Sequence, residues 1–464
     1  MTGSADTRAV SLGLEPPRGM RDVLPDEAEL RDRTTDTILR VYRRHGFRRV
    51  ETPALESIGL LTRGQGGENE KLIFKVLKRG EKLDLTGSIG EADLVDLGLR
   101  FDLTVPLSRY YARHHARLPK PFRAVQIGPV WRAERPQRGR YRQFTQCDID
   151  ILGVHSEAAE IELIVATTEA LAALGLGDLR VRLNDRRLLT AMAGWCGFRR
   201  DRHEGVFIAL DKLDKVGAAG VRQDLERAGH PEVAIERMLA LLAEFGDGPG
   251  VERRLEVLQA RLGDARAEAA FASLGCIGRT VEAAAAGRFR LVFDPTLVRG
   301  MTYYTGPIFE IAAAASGNSI AGGGRYDALI GTLLGRDVPA TGFSIGFERV
   351  IALLLERPAA MRRGERRVAL RYDEATADLG RALEVARALR DQGHLVSLEP
   401  RVKNVGRQRA MLAEQGFDGV ADFDEPALGG SLVSLTTPVA PAPPLPAIHW
   451  FRPEASVPRP EAER

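Results

Sequence analysis

The sequence predicts an α+β fold spread over more than one domain, and three observations carry the prediction. An arginine-rich stretch at Val130–Asp150 reads as an antiparallel hairpin, with further strand segments before and after it. Short helical patterns rich in Ala, Leu and Arg fill 190–285 and separate those strand segments into two blocks. From Val368 onward strands and helices alternate at close spacing, which indicates a small α/β domain with a partly parallel sheet. At 464 residues the chain has room for two or three domains and a full hydrophobic core.

Residues 1–14 read as a disordered lead. A turn-rich start then passes into a helix in which Leu30, Ile38, Leu39 and Tyr42 recur at helical spacing until Gly46 stops them. RRVETPALE is a short strand with Pro53 near its end, a position that suits an edge or an interface. LDLTGSIGEADLVD is turn-rich and reads as a loop, and LGLRFDLTVPLSRYYARH passes from strand to helix after Pro106. The hairpin ends near Gly153, and SEAAEIELIVATTEALAALGL follows as an amphipathic helix with Ser156 as its N-cap. RLNDRRLLTAMAGWCGF opens the helical region, an inserted subdomain at 190–285. Strands resume at RFRLVFDPTLVRGMTYYTGPIFEIAAA, SIAGGGRYDALIGTLLG and TGFSIGFERVIALLLE. Residues 15–189 and 286–355 thus form one discontinuous domain, 356–366 a charged linker and 367–451 the α/β domain. The Pro-rich TTPVAPAPPLPAIHW is extended, and 452–464 read as a disordered tail.

The hairpin carries the chemistry. Five arginines fall between Arg132 and Arg142, opposed only by Glu134. Guanidinium forks suit phosphate oxygens because each can make two parallel hydrogen bonds. On the returning strand Gln146, Asp148 and Asp150 alternate with Cys147, Ile149 and Ile151, so period two sets the three polar side chains on one face, beside the arginines. A phosphate site next to an acidic pocket suggests a nucleotide and an amine-bearing partner.

Composition narrows the class. A net charge of +3 neither demands nor excludes nucleic acid, so a large polyanion would be gripped by local patches. Three scattered cysteines, Cys147, Cys196 and Cys276, show neither metal spacing nor a disulfide framework, which fits a reducing cytosol and a cytoplasmic protein. The N-terminus lacks a signal-peptide pattern, and no apolar run approaches membrane-spanning length.

Several segments together resemble the histidyl-tRNA synthetases, a family of class II aminoacyl-tRNA synthetases, over about Arg18 to Phe423. RRVETPALE is similar to motif 1, with Pro53 as its proline, and VWRAERPQRGRYRQF to motif 2, whose core is Arg132 and Glu134. GFSIGFERV is similar to motif 3, ending in Arg349, while LVRGMTYYTGPIFE and AGGGRYDALIG look like the two peptides that mark the histidine enzymes. Thr302 stands where many members carry Asp, and the last domain matches less well than the catalytic part.

The resemblance implies a class II antiparallel sheet flanked by helices, a helical insertion and a C-terminal α/β anticodon-binding-like domain. It implies a ligase that activates L-histidine with ATP and transfers it to tRNA(His), with Mg2+ accompanying the nucleotide and motif 1 building a homodimer. Arg132, Arg299 and Arg349 are the catalytic residues it points to. Arg132, Glu134 and Arg349 would bind ATP; Asp102, Thr104, Gln146, Asp150, Arg299, Tyr303, Tyr304 and Tyr326 would bind histidine; Gln137 and Arg140 would meet the tRNA acceptor end. No protein-borne metal ligands are expected. Gly322, Gly323 and Gly324 suggest a close backbone approach to the amino acid. Bland readings exist for several of these: Asp102 as a helix N-cap, Tyr303–Tyr304 as an aromatic pair in a strand, Arg349 as a helix-face charge. The alternative function is a synthetase-like regulatory subunit of histidine biosynthesis that binds histidine.

Overall fold

The hairpin is the middle of a large sheet. In the computed structural model β5 (Phe122–Trp131) and β6 (Gln143–Leu152) pair antiparallel along their whole length, from Phe122 opposite Leu152 to Trp131 opposite Gln143. The structure describes residues 13–63, 70–80, 83, 90–136, 140–244, 250–264, 267–298, 303–313, 319–357, 365–375, 377–423 and 448–450. Two compact units divide the chain, Met1–Ala360 and Met361–Arg464.

In the first unit the remaining strands are β1 (Arg48–Arg49), β2 (Leu55–Ser57), β3 (Lys75–Leu77), β4 (Val95–Leu99), β7 (Leu179–Asp185), β8 (Phe289–Phe293), β9 (Pro307–Ala313), β10 (Ser319–Arg325) and β11 (Ala340–Gly346). Eight strands form one sheet in the order β1-β5-β6-β11-β10-β9-β7-β8, and β2-β4-β3 form a small separate one. The interior pairings of the large sheet are antiparallel, whereas β1 on β5 and β8 on β7 are parallel. The antiparallel expectation therefore holds for the centre and gives way at both edges.

Helix α1 (Pro25–Arg44) starts with proline in its first turn followed by Asp26 and Glu27, and closes on Arg43 and Arg44, as the helix dipole favours. It buries Leu30, Ile38, Leu39, Val41 and Tyr42 in the main core. Helix α2 (Thr104–His114) begins two residues before Pro106, so the proline sits in the first turn, where a missing N–H costs nothing. Helix α3 (Ala158–Ala173) is buried on most sides rather than amphipathic. Its N-cap position is Glu157, with no side-chain cap, in place of the expected Ser156. Helices then run from α4 (Arg186–Cys196) through α5 (His203–Leu210), α6 (Leu213–Arg227), α7 (Glu232–Glu244) and α8 (Val251–Leu262) to α9 (Glu268–Ala285). Two more follow strands of the sheet, α10 (Asp327–Leu334) and α11 (Phe347–Leu355).

Three further expectations are corrected. RRVETPALE is not one strand: β1 joins the large sheet and β2 the small one. Proline cannot donate to a ladder, and the buried Arg100 guanidinium donates to the Thr52 and Pro53 carbonyls (2.6 and 3.4 Å) where a strand partner would sit. The segment expected as a loop holds a helical turn at Glu91–Leu94 and the start of β4. The opening RLND of the helical region is the end of β7, where Leu179, Val181 and Leu183 point into the core.

In the second unit β12 (Arg367–Tyr372), α12 (Leu379–Asp391), β13 (Leu395–Pro400), α13 (Val405–Glu414) and β14 (Gly419–Asp422) alternate as expected. β13 and β14 flank β12 in parallel, and β15 (His449–Trp450) adds antiparallel to β14. Val368, Leu370, Val385, Leu389 and Phe423 build its core. The lead up to residue 12, most of the linker, most of the Pro-rich stretch and the tail lie outside the described residues.

Candidate active site

One face of the central strands opens into a cavity of about 480 Å³, the size of an ordinary small-ligand site. The β6–β11 register sets its floor: Gln146 lies opposite Gly346, Asp148 opposite Ser344 and Asp150 opposite Gly342. The period-two reading thus holds, and all three polar side chains of β6 line the cavity. A side chain at Gly342 would collide with Asp150 Oδ1 and lie 3.1 Å from Tyr326 Cε1, so only glycine leaves this floor open.

One end of the cavity is acidic. Asp102 closes the start of α2: its Oδ1 accepts the Val105 N–H at 3.1 Å, although the N-cap position is Leu103, one residue later than the sequence reading placed it. Asp150 Oδ1 accepts the Tyr326 hydroxyl at 2.6 Å, and Asp148 Oδ2 accepts from Gln146 Nε2 at 3.4 Å. Tyr326 is itself held by the backbone and by its neighbour. Its N–H donates to Ala340 O, and the next residue back, Arg325, pairs with the fully buried Glu160 at 2.7 and 2.8 Å. Asp102 Oδ2, Gln146 Oε1, Asp148 Oδ1 and Asp150 Oδ2 are buried acceptors with no hydrogen-bond partner among the described residues. Burial pushes the Asp102 carboxyl up to about 6 and the Asp150 carboxyl to about 7. Asp148 is raised well above the usual range by burial first and then by Asp150.

Cations line the same cavity. Arg132 Nε donates to Phe101 O at 3.0 Å and its guanidinium lies over the Phe144 ring, 5.1 Å from the centroid. Arg349, in the first turn of α11, donates to Ser319 O. Thr104, Glu134 and Arg140 also line it, the last two 3.8 Å apart as a partly exposed pair. Tyr303 and Tyr304 meet edge to face at 5.0 Å, and Tyr303 meets Tyr326 at 5.9 Å, so the tyrosines form a wall, outside any strand, in place of the strand pair considered from sequence. The structure therefore brings Asp102, Thr104, Arg132, Glu134, Arg140, Gln146, Asp150, Tyr303, Tyr304, Tyr326 and Arg349 to one cavity. Gln137, Arg299 and Thr302 lie outside the described residues.

The glycine triplet is corrected. A side chain at Gly323 would strike the backbone of Gly342 and Phe343, and one at Gly324 would meet Pro307 O at 2.7 Å. Those two serve close strand packing, and of the three only Gly322 lines the cavity.

Sequence reasoning left three features unassigned. Asp148 was visible in the alternation but received no role. Gly342 needs the β6–β11 register to be noticed. The third is a clamp: Glu348 on α11 takes two hydrogen bonds from Arg31 on α1 (2.7 and 2.6 Å) and one from the Thr145 N–H on β6 (3.1 Å). Arg21 pairs with Glu27, which also meets Arg31, and lies over the Tyr141 ring at 4.9 Å. Glu27 is an i,i+4 neighbour of Arg31, but no local pattern signals Thr145 and Glu348, which lie 114 and 317 residues away from it.

A family model described as histidyl-tRNA synthetase matches residues 19–350. A protein of Leifsonia xyli named histidine–tRNA ligase is 48% identical over 91% of this chain and 99% of its own length. One of Tropheryma whipplei, named probable histidine–tRNA ligase, is 41% identical over 91% and 99%. Among solved structures, the histidyl-tRNA synthetase of Nostoc superposes with a TM-score of 0.71 at 28% identity, covering 90% of this chain and 93% of the other.

Proposed function

The chain belongs to the histidyl-tRNA synthetase family, and from that premise we propose a division of labour within its cavity. The chemistry is the ATP-dependent ligation of histidine to tRNA(His). A carboxylate oxygen of histidine attacks the α-phosphorus of ATP and pyrophosphate leaves; a ribose hydroxyl at the tRNA 3′ end then attacks the acyl carbon and AMP leaves. Negative charge meets negative charge in the first step, so fixed cations must hold the reactants together. We assign Arg132 to the α-phosphate, Arg349 to the γ-phosphate, and Arg299 to the α-phosphate and the histidine carboxylate. Asp150 and Tyr326 take the imidazole edge with Tyr304, Tyr303 lines that pocket, and Asp102, Thr104 and Gln146 take the α-ammonium. Gln137 and Arg140 are assigned to the acceptor end of the tRNA.

The observation that carries this reading is one cavity lined both by buried unpaired acceptors and by Arg132 and Arg349. That is the charge pattern of a zwitterionic amino acid lying against a triphosphate. Among the described residues no group of three His, Cys, Asp or Glu could hold a metal ion, and Glu348 is engaged by Arg31 and Thr145. The donor set thus fits Mg2+ as an ion carried on the nucleotide's own phosphates, where it supplies positive charge, with Glu134 the wall carboxylate we assign to it.

No helix among the described residues is long and apolar enough to cross a membrane. We assign the chain to the cytoplasm, where tRNA is charged. A homodimer is part of the proposal, supported by exposed Leu55, Leu77 and Leu97 on the small sheet that follows motif 1. The discontinuous catalytic domain, its insertion at 190–285 and an anticodon-binding-like role for 367–451 belong to the same proposal. Nothing in the geometry favours the regulatory-subunit alternative. The test is histidine-dependent ATP–pyrophosphate exchange without tRNA. The chain should support it, and Arg132→Ala and Arg299→Ala should each lose at least about a hundredfold in rate. A chain that binds histidine without exchange would overturn the reading.

A further inference from the structure

The acidic end holds more acceptors than the family assignment uses. Four buried oxygens there have no hydrogen-bond partner of good geometry among the described residues, Asp102 Oδ2, Gln146 Oε1, Asp148 Oδ1 and Asp150 Oδ2, while the Thr104 backbone and the Ser344 hydroxyl act on the Asp102 and Asp148 carboxyls. Their residues line the cavity, and the three carboxylates are only 2–3% exposed. Orphaned buried acceptors are costly, carboxylates most of all, so a fold that keeps four in one pocket needs donors to arrive with a ligand. The donors of neutral-ring histidine are countable: three N–H on the ammonium and one on the imidazole. Donors and acceptors match one to one.

Asp150, tied to Tyr326, serves the ring. Three of the orphaned acceptors remain for the ammonium, beside the Thr104 hydroxyl assigned to it above, and the one without a role is Asp148. We propose that Asp148 is an ammonium-binding residue, joining Asp102, Thr104 and Gln146 around the substrate's α-amino group. The proposal rests on the histidine-activating reading and extends it.

The surroundings agree. Asp148 sits between Gln146 and Asp150 on the same face of β6, and its Oδ2 is already taken by the Gln146 amide, which turns Gln146 Oε1 and Asp148 Oδ1 toward separate donors. Among the charges that act on it, Asp150 and Asp102 are acids and Arg132 is the cation. One guanidinium is too little to keep three buried carboxyls ionised, and an incoming ammonium supplies the missing positive charge.

The test is calorimetric binding to the full chain of three probes: L-histidine, L-histidinol, and 3-(imidazol-4-yl)propionate, which lacks the amino group. Asp148→Asn keeps the shape and removes the charge. It should weaken histidine and histidinol by about tenfold or more and leave imidazolylpropionate within about twofold. Asp148→Ser should show the same selectivity, with ATP affinity as the control for folding. Equal weakening of all three probes, or no weakening of histidine, would overturn the assignment while leaving histidine activation intact. A native chain that binds none of the three would instead remove the reading beneath it, and the assignment with it.

Discussion

Gly342 and Asp150 face each other across β6 and β11, and the absent side chain is what lets the carboxylate reach the Tyr326 hydroxyl. Gly342→Ala forces Asp150 or the Tyr326 ring to move. Overpacking of this kind costs about 1–3 kcal/mol, so the histidine KM should rise by about tenfold or more while the ATP KM changes little, read from exchange kinetics. The raised carboxyls give a second prediction. Asp102 and Asp150 titrate near 6 and 7 in the folded chain against 3.8 for a free side chain, so between about pH 4 and 7 the folded state holds protons the unfolded state has lost. Their stabilising contribution is complete below about pH 4 and disappears as pH rises through 6 to 7. Asp150→Asn removes one of these groups, so its Tm should fall less between pH 5 and 8 than that of the native chain without ligand. A parallel decline in both would contradict the linkage. At this scale the sequence was informative about residue type and poor about pairing. The alternation of Gln146, Asp148 and Asp150 was visible as period two, whereas the glycine opposite Asp150 depends on a register between strands about 190 residues apart in the chain.

At the scale of elements, the clamp on Glu348 joins α1, β6 and α11, and so couples the start of the chain to the strand and helix that carry Gln146 and Arg349. Arg31 and Glu348 are mostly buried, with side chains 16% and 10% exposed. Removing Arg31 leaves Glu348 with only the longer Arg21 contact at 3.5 Å, at a cost of about 2 kcal/mol once partial exposure is allowed for. Arg31→Ala should therefore lower Tm and raise the KM for ATP several-fold, and Arg31→Lys, which keeps charge but loses the fork, should recover only part of either. Unchanged ATP kinetics in Arg31→Ala would make the clamp purely structural. Elements with strong periodicity or clear stops were legible: α1, the hairpin and the strand–helix alternation of the second unit. Those that failed did so for reasons of tertiary context. Pro53 divides two strands because Arg100 captures the carbonyls around it, and RVRLND is a strand because β8 and β9 flank it.

At the scale of the molecule, the two units have separate cores, and every residue assigned to histidine or ATP belongs to the first. A chain ending at Ala360 should keep histidine-dependent exchange within a few-fold and lose tenfold or more in tRNA charging. Equal losses in both would contradict a division between activation and RNA recognition. The general architecture was readable from pattern alone, but the mixed edges of the large sheet were not, since nothing in β1 or β8 distinguishes a parallel from an antiparallel neighbour. The central claim is that this chain esterifies tRNA(His) with histidine. Its most direct measurement is acid-precipitable charging of a tRNA(His) transcript by the full chain with ATP, offering each of the twenty amino acids in turn. Histidine alone should be transferred, to a plateau near one per tRNA. Histidine binding without any transfer would contradict the claim and point to a regulatory role instead.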